Sequence, residues 1–441
     1  MSDIPIMVII IFSILIMMLP IVYTVAKGQI GQPIVIIWSA AFLSLGFSIY
    51  GGITFGWDIH VRTFFIVILG LLGMLMGAIG ANLFRIQMKV PCKIYKKKKF
   101  LSFQKQLVMM GFYSFMTVLM IANIKQLTGM STWNPVNLSK EYRSLYLADE
   151  VTLSFIVRQL YRVERVLSFY LLSILLEHSL KDVLKKYIMT IVGIFCFMIQ
   201  GIATGSRNDI LYMFLAGIAM FLVHFYRRNS QAFLIPRKVF MIVALGIVVL
   251  LMFTYTQALF GRSGQYSALI YAFKYLGGSL FSLNQFVIRN SGSNYAGVTF
   301  SGILRGIYDY LSIDGKIYTF EHQWIDGIYN GNTYTMFAKY YYDAGIAGVI
   351  LFSGFVSFFM TMWYRRLVTG NYENRYRISL SLYGYMSSSL FLVLYDEHFL
   401  STKLCFGLIT DILALFVIDF FITSVFFCGK TLQIVIPSSV S

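Results

Sequence analysis

The sequence predicts an all-α protein that crosses a membrane many times. Hydrophobic residues make up 58% of the 441 residues, whereas charged residues make up only 12%. A soluble domain carries about 25% charged residues, so this chain has too few to cover a surface that faces water. Apolar runs long enough to cross a bilayer recur along the chain, and basic residues gather in some of the connections between them.

A membrane-spanning helix needs about 20 mostly apolar residues, and we count about eleven such runs, within a range of roughly ten to thirteen. The runs cover residues 4–24, 33–51, 63–84, 107–124, 152–177, 187–204, 209–226, 239–258, 343–364, 378–395 and 405–428. The fifth run is the least regular because it contains charged residues. We expect a single multi-span membrane domain over residues 1–441, whose first run is a retained helix because no basic segment precedes it.

Basic residues in short connections mark the cytoplasmic side of a membrane protein. The connection after the third run is the most basic, and it includes a lysine run at residues 96–99. We therefore expect this connection and the C-terminus in the cytoplasm, and the N-terminus outside. The net charge of +17 is then partly a topology signal that can also contact anionic membrane lipid, and it does not indicate nucleic-acid binding.

One predicted outer connection, residues 259–342, is far longer than the others. Long loops without regular structure are usually functional or disordered. This one is rich in Tyr, Phe, Gly and Asn and poor in Pro, Glu and Gln, which argues against disorder. Because its stretch 266–288 is apolar, we expect a large extracytoplasmic loop between late spans that is partly helical or re-entrant.

The motifs of several enzyme classes are missing from the chain. It lacks the phosphate-binding loop of nucleotide hydrolases, the HExxH zinc motif and the GxSxG nucleophile motif. It also lacks the Asp-x-Asp pair with which many nucleotide-sugar glycosyltransferases hold a metal. The four cysteines contain no close pair, so they indicate no zinc or redox site. We predict no metal site and no other cofactor.

Three arginines in the fifth run, Arg158, Arg162 and Arg165, lie on one face of a helix. An arginine at the centre of a bilayer costs about 2.5–3.5 kcal/mol or more, so three would not face acyl chains. Arginine's planar fork suits phosphate. We expect the three side chains to line a polar cavity that opens outward. The alternative is that they reach the membrane interface or pair with acids such as Glu164.

A further arginine, Arg207, ends the segment Thr204–Arg207, which has the sequence TGSR and joins two runs on the predicted outer side. This places Arg207 beside a helix N-terminus, where free N–H groups favour an anion. The alternative is a simple capped turn. His398 follows two acids in the short connection before the last run. Asp411 lies inside that run, and we expect it to pair with a cavity arginine.

A third feature is the stretch 331–348, which begins GNTYT and ends YYYDAGIAG. We predict that Asp343 caps the ninth run and that Gly345 and Gly348 let another backbone approach closely. His322 and Asp326 lie just upstream. The aromatic residues here suit stacking on sugar rings, although each alone fits the aromatic belt of the membrane interface equally well.

The layout of spans, the TGSR segment and the stretch 331–348 resemble the Wzy-type O-antigen and capsule repeat-unit polymerases. The resemblance covers the general layout and these two short motifs. The family often has Phe where this chain has Ala344. The resemblance leaves open a related O-antigen ligase, and a lipid-linked oligosaccharide flippase or transporter remains a further alternative. Flippases usually have two similar halves, which this chain does not show.

The resemblance implies a metal-independent glycosyltransferase of the bacterial plasma membrane that uses no cofactor. Its donor and acceptor would be glycans linked to polyprenyl diphosphate, and its partners a chain-length regulator and a flippase. It implies catalytic roles for Arg207, His322, Asp326 and His398. The residues expected to bind substrate or diphosphate are Arg158, Arg162, Arg165, Arg289, Asn332, Tyr334 and Asp343.

Overall fold

The structure, a computed structural model, describes residues 4–84, 101–148, 150–228, 268–290, 294, 297–313, 315, 317–370, 375–428 and 431–434. Over these ranges the chain is mostly helical, and seven helices are long and apolar enough to cross a membrane. This is the composition of an all-α membrane protein. The predicted span 239–258 and the lysine run 96–99 lie outside the described residues.

Four of the seven long helices lie in the first third of the chain. They are α1 (Ile6–Val25), α2 (Pro33–Phe55), α3 (Val61–Leu83) and α4 (Phe103–Thr128). The helix α2 begins with a proline at its first position and ends at Gly56, whose φ of 71° few other residues tolerate. Local sequence therefore sets where α2 begins and ends.

The next segment carries the charged fifth run. Its helices are α5 (Pro135–Leu147), α6 (Phe155–Leu175), α7 (Leu180–Lys186), α8 (Ile188–Ala203) and α9 (Asn208–Arg228). The fifth run does form a helix, α6, but its charged residues keep it outside the seven candidate spans. The sixth predicted span corresponds to α8, which is short and meets α7 at an angle of 87°. That pair is one broken span or a re-entrant segment.

The described part of the predicted loop 259–342 contains regular structure. Its elements are α10 (Ala268–Leu276), α11 (Gly278–Arg289), a 3-10 helix (Val298–Phe300), α12 (Ser301–Leu311), β1 (Gln323–Ile325) and β2 (Ile328–Gly331). The two strands pair antiparallel across Asp326 and Gly327, whose φ values are 47° and 74°. Two positive φ values favour the tight turn of a twisted hairpin.

The helix α13 (Met336–Thr369) begins earlier than the predicted ninth run, and its first cap residue is Thr335. The prediction that Asp343 caps this helix is therefore wrong. Its carboxylate instead accepts hydrogen bonds from the backbone N–H groups of Val298 at 3.0 Å and Thr299 at 2.6 Å. Asp343 thus holds the 3-10 helix that precedes α12.

The helical path of α13 breaks at Gly345, where φ is 60° and ψ is −153°. No atom lies within 4 Å of the position of a Cβ on Gly345, so the expected close backbone approach does not occur there. A Cβ on Gly348 would lie 2.6 Å from the Tyr340 carbonyl oxygen of the same helix, and between α3 and α13 a Cβ on Gly77 would overlap the Gly354 carbonyl. The glycine is needed at position 345 for its backbone conformation.

The last segment begins with two successive helices where one span, 378–395, was predicted. It contains α14 (Tyr376–Ser387), a 3-10 helix (Ser388–Leu392), a π-helix (Phe399–Lys403), α15 (Phe406–Ser424), β3 (Val425–Cys428) and β4 (Thr431–Ile434). Three consecutive serine hydroxyls, Ser387 to Ser389, donate to the carbonyls three residues back at 3.0, 2.8 and 2.6 Å. Such bonds compete with the helical ladder, and α14 ends there.

The buried core joins most of these helices through large side chains such as Trp38, Tyr170, Phe273 and Tyr383. Other large apolar side chains point outward. Met17, Leu351 and Val417 are each 69% exposed. Apolar surface this extensive is rare on soluble monomers, and here it suits contact with lipid.

Candidate functional site

Two of the three α6 arginines converge on one carboxylate. Arg165 Nη2 donates to Asp411 Oδ2 at 3.1 Å, and Arg162 Nε lies 3.8 Å from Asp411 Oδ1. The predicted pairing of Asp411 with an arginine is therefore confirmed. Glu164 faces another neighbour and accepts a hydrogen bond from Gln200 at 2.7 Å. Arg158, one turn earlier on α6, is exposed.

Arg165 also links four helices. Its Nη1 lies 3.9 Å from Asp209 Oδ1 on α9, and its guanidinium lies 5.3 Å from the centroid of the Tyr385 ring on α14. Tyr161 donates to the same Asp209 carboxylate at 2.9 Å. Together with Asp411 on α15, these contacts place Arg165 at the junction of α6, α9, α14 and α15.

Arg207 directly precedes α9, and its carbonyl accepts the first helical hydrogen bond, from Leu211 at 3.0 Å. Gly205, with a φ of 66°, turns the chain into this position. The guanidinium is buried between two tyrosines of α10. It donates to the hydroxyls of Tyr271 and, at 3.0 Å, Tyr275, and lies 5.4 and 5.0 Å from their ring centroids. Arg207 is thus a cation held in a tyrosine-lined site.

The acids of the segment Asp396–His398 have distinct partners. Asp396 forms an ion pair with Lys339 of α13 at 3.2 Å. Glu397 accepts hydrogen bonds from the backbone N–H groups of Leu400 at 2.7 Å and Ser401 at 2.6 Å. Glu397 therefore fixes the first turn of the π-helix, an uncommon element that is frequent at functional sites.

The third member, His398, is enclosed by aromatic rings. Its ring packs against Tyr212 at 5.8 Å and Tyr395 at 6.3 Å between centroids. Its Nε2 lies 3.9 Å from Asp396 Oδ2, and neither ring nitrogen makes a hydrogen bond within the part of the chain described. Burial lowers the pKa of His398 to about 4, against the opposing effect of Asp396. A neutral imidazole at neutral pH can accept a proton.

Lys403, at the end of the π-helix, connects the arginines to His398. Its ammonium is buried and donates to Ser388 Oγ at 2.5 Å. It lies 4.7 Å from the Tyr212 ring centroid and 4.8 Å from that of Tyr385. Burial lowers the pKa of Lys403 well below its usual range. Sequence reasoning missed this residue, since a lysine between two spans gives no sign that it faces inward.

We call this assembly the cation–tyrosine cluster. It consists of Arg162, Arg165, Arg207, Lys339, Lys403, Asp209, Asp396, Asp411, His398, Tyr161, Tyr212, Tyr271, Tyr275, Tyr385 and Tyr395. Tyr275 stacks on Tyr395 at 5.9 Å between centroids, which joins the Arg207 end to the His398 end. Even without Lys403, whose pKa is lowered, the other four cations outnumber the three acids, so the cluster suits a ligand with several negative charges.

No protein-family model, curated protein or solved structure matches this chain. Its function is therefore inferred from the chemistry of its side chains. Within the described ranges, no group of three His, Cys, Asp or Glu side chains is placed to hold a metal ion. Guanidinium, ammonium and phenol groups are the principal donors that the cluster offers to a ligand.

Five further predicted site residues lie around the β1–β2 hairpin, and we call them and their contacts the hairpin group. Asp326 accepts a hydrogen bond from Trp57 Nε1 at 2.6 Å. Tyr334 is buried and donates to the Glu321 carbonyl at 2.7 Å. The remaining members are exposed, and they are Arg289, His322 and Asn332. The predicted site residues therefore fall into these two groups, except for the exposed Arg158 and for Asp343, which holds the 3-10 helix.

Proposed function

We propose that this chain is a polymerase that joins oligosaccharide repeat units linked to polyprenyl diphosphate into a surface polysaccharide, an O-antigen or a capsule. The observation that carries the proposal is that Arg165, Arg207, Lys403 and His398 are linked to one another through contacts with the tyrosine rings of one cluster. Such a site combines groups for a diphosphate with a proton acceptor. Tyrosine rings also suit the faces of sugars.

In the proposed reaction, an acceptor hydroxyl attacks the anomeric carbon of the donor glycan. A new glycosidic C–O bond forms while the bond from that carbon to the diphosphate oxygen breaks, and the electron pair leaves on polyprenyl diphosphate. Arg207 and Arg165 stabilise the charge that develops there, because fixed donors act strongly in a site that excludes water. His398, whose ring packs against Tyr212 and Tyr395, accepts the hydroxyl proton.

Residues of the hairpin group have no role in this mechanism. Asp326 and Tyr334 make contacts that position the hairpin, and the other three predicted residues are exposed on its flanks. Asp343 is used in holding the 3-10 helix. The proposed machinery is thus smaller than the set that the resemblance implied.

The proposal places the protein in the bacterial plasma membrane with about eleven spans and with the cluster on the outer face. The two ends of α4 offer a direct test, since Ser102 and Ser131 are both exposed. A cysteine at position 131 should react with a membrane-impermeant reagent in intact cells. A cysteine at position 102 should react only after lysis. The opposite pattern would put the cluster in the cytoplasm and exclude the proposed substrate.

Activity is tested with purified full-length protein and lipid-linked repeat units, and the products are resolved by length. A polymerase yields a ladder of lengthening glycans and releases polyprenyl diphosphate. An O-antigen ligase would extend no repeat units and would transfer glycan only when a lipid A acceptor is added. A flippase would change no covalent bond but would move the substrate across vesicle membranes.

The same assay tests the independence from metal. Since the chain lacks an Asp-x-Asp pair and the cluster supplies several cations, we expect the product ladder to be unchanged in EDTA. Restoration of a lost activity by magnesium or manganese would show that arginine and lysine alone do not stabilise the leaving group.

A further inference from the structure

We call the contact between α6 and α15 the seam. It places the cation of Arg162 at the surface of the helical bundle. The Arg162 side chain is 35% exposed, and its Nη1 donates to Thr410 Oγ1 at 3.3 Å. A Cβ on Gly407 would lie 2.9 Å from Arg162 Nη2, so the guanidinium packs directly on the α15 backbone. The absence of a side chain at position 407 therefore leaves room for this cation in the seam.

Several large apolar side chains of the same two helices are exposed. Ile156 on α6 is 69% exposed, and Ile409 and Leu413 on α15 are 56% and 60% exposed. This surface suits the hydrocarbon chain of a lipid, whereas Arg162 suits a phosphate at its head. A headgroup at this position would lie one helical turn from Arg165, which belongs to the interior of the cluster.

Asp411 occupies the space between the two guanidinium groups. Its Oδ2 accepts from Arg165 at 3.1 Å, but its Oδ1 makes no hydrogen bond among the described residues and lies 3.8 Å from Arg162. The cavity behind it, lined by Arg165, Tyr385 and Asp411, has a volume of about 10 Å³, which is room for one water molecule. A phosphate bound at Arg162 would therefore meet the Asp411 carboxylate before it reached Arg165.

We propose that the α6–α15 seam is where the phosphate headgroup of an isoprenoid lipid leaves the bilayer, and that Asp411 is the counter-ion this headgroup displaces from Arg162 and Arg165. This rests on the proposed function in that the donor carries a lipid diphosphate. Without the carboxylate, Arg162 would lose its acid partner and Arg165 would keep only the longer contact with Asp209, which is costly at membrane depth. A diphosphate carries more charge than one carboxylate and offers more acceptor oxygens, so it replaces Asp411 and gives way to it again after release.

Binding of undecaprenyl diphosphate to the purified full-length protein, in nanodiscs of zwitterionic lipid, tests this inference. Asp411→Asn removes the competing charge and keeps the shape, and we expect it to lower Kd about five-fold, the size of effect typical of one partly exposed charge pair. Arg162→Ala should raise Kd about ten-fold through loss of a charge-assisted contact. Asp411→Ser should change Kd in the same direction as Asp411→Asn and serves if that variant folds poorly.

The chain offers a matched control on the same helix. Asp419 lies two turns from Asp411 and accepts a hydrogen bond from Tyr170, not from an arginine of α6. Asp419→Asn should leave Kd unchanged. Arg305→Ala, which removes an exposed arginine of α12, controls for a general change in surface charge.

Inorganic diphosphate and undecaprenyl diphosphate distinguish the source of the phosphate. We expect Asp411→Asn to strengthen binding of the lipid far more than binding of inorganic diphosphate. Equal strengthening would identify a site for free phosphate and overturn the route from the bilayer. Unchanged or weaker lipid binding by Asp411→Asn and Asp411→Ser would overturn the role of Asp411.

The polymerisation assay separates this inference from the proposed function. If wild-type protein polymerises repeat units but the Asp411 variants bind the lipid no more tightly, then Asp411 is not the displaced counter-ion. The proposed polymerase function is unaffected by that result. If wild-type protein binds the lipid and the variants change Kd as expected, but no ladder of products forms, the lipid-binding role of the seam is supported and the proposed polymerase function is rejected. Wild-type protein that does not bind the lipid overturns the seam.

Discussion

The cation–tyrosine cluster and the hairpin group both contain charged and aromatic residues that stand out in the sequence, yet they use these residues differently. In the hairpin group, Asp326 and Tyr334 have close partners within the fold, at 2.6 and 2.7 Å. In the cluster, His398 is enclosed, but its ring nitrogens make no hydrogen bond within the described ranges. Polar groups that hold a fold have satisfied partners, whereas a site keeps some capacity for a ligand.

The change with the largest expected effect replaces Arg207 of the cluster, and its matched control replaces Arg289 of the hairpin group. Arg207→Ala removes a cation from the cluster, and loss of one donor to a developing charge costs about 100- to 1000-fold in rate. Arg207→Lys keeps the charge without the planar fork and should retain part of the activity. The rate of polymerisation by purified protein is the measurement.

Arg289→Ala is the matched change in the hairpin group. Because Arg289 is exposed at the end of α11, we expect its loss to leave the rate within about two-fold of wild type, the range of a surface substitution. Comparable losses from the two alanine variants would contradict the division into two regions. In cells, well-expressed Arg207→Ala should leave surface glycans as single repeat units.

His398→Gln should slow polymerisation about 100-fold, because a positioned general base contributes roughly that factor or more. The pKa of His398 is lowered to about 4, so the imidazole stays neutral over the range in which an ordinary histidine titrates. The ratio of the wild-type rate to the variant rate should then be constant from about pH 8 to pH 5.5 and fall as the pH approaches that pKa. A ratio that falls near pH 6.5 would show that the ring is open to water. That result would contradict the role of His398 as an enclosed general base.

Tyr334→Phe has the smallest expected effect. It removes a buried hydroxyl that accepts from Gln323 and donates to the Glu321 carbonyl, both at 2.7 Å. The free energy of unfolding should fall by about 1–3 kcal/mol, because two hydrogen bonds are lost and the buried Gln323 amide loses its acceptor. Thermal unfolding in detergent measures this change. The rate per folded molecule should stay at the wild-type value, and a selective loss of rate would return Tyr334 to the substrate site.

The spans and the arginine face were predictable because each depends on residues close together in the chain. A helix that crosses lipid must satisfy its own backbone, so about 20 apolar residues in succession indicate one span. The positions of Arg162 and Arg165 on one face follow from the helical period. Their need for a partner at membrane depth led to the correct expectation for Asp411.

One expectation failed because a distant contact outweighed a local pattern. Asp343 has the residue type of a helix cap, but α13 begins upstream, and the carboxylate binds the backbone of residues 298 and 299. Over the predicted span 378–395, the α-helix changes to a 3-10 helix at Ser388, where three serine hydroxyls donate to backbone carbonyls. Neither result follows from hydropathy.

Composition, hydropathy and helical period are enough to predict an all-α membrane protein with arginines on one face of α6 and a glycine turn before Arg207. Which of these residues meet depends on how the helices pack. Arg165 and Asp411 are 246 residues apart in the chain and 3.1 Å apart in space. The enclosure of Lys403 and His398 by tyrosines is equally non-local. Hydropathy and helical period act over a few turns, whereas a site is assembled by packing helices whose partners the local sequence does not specify.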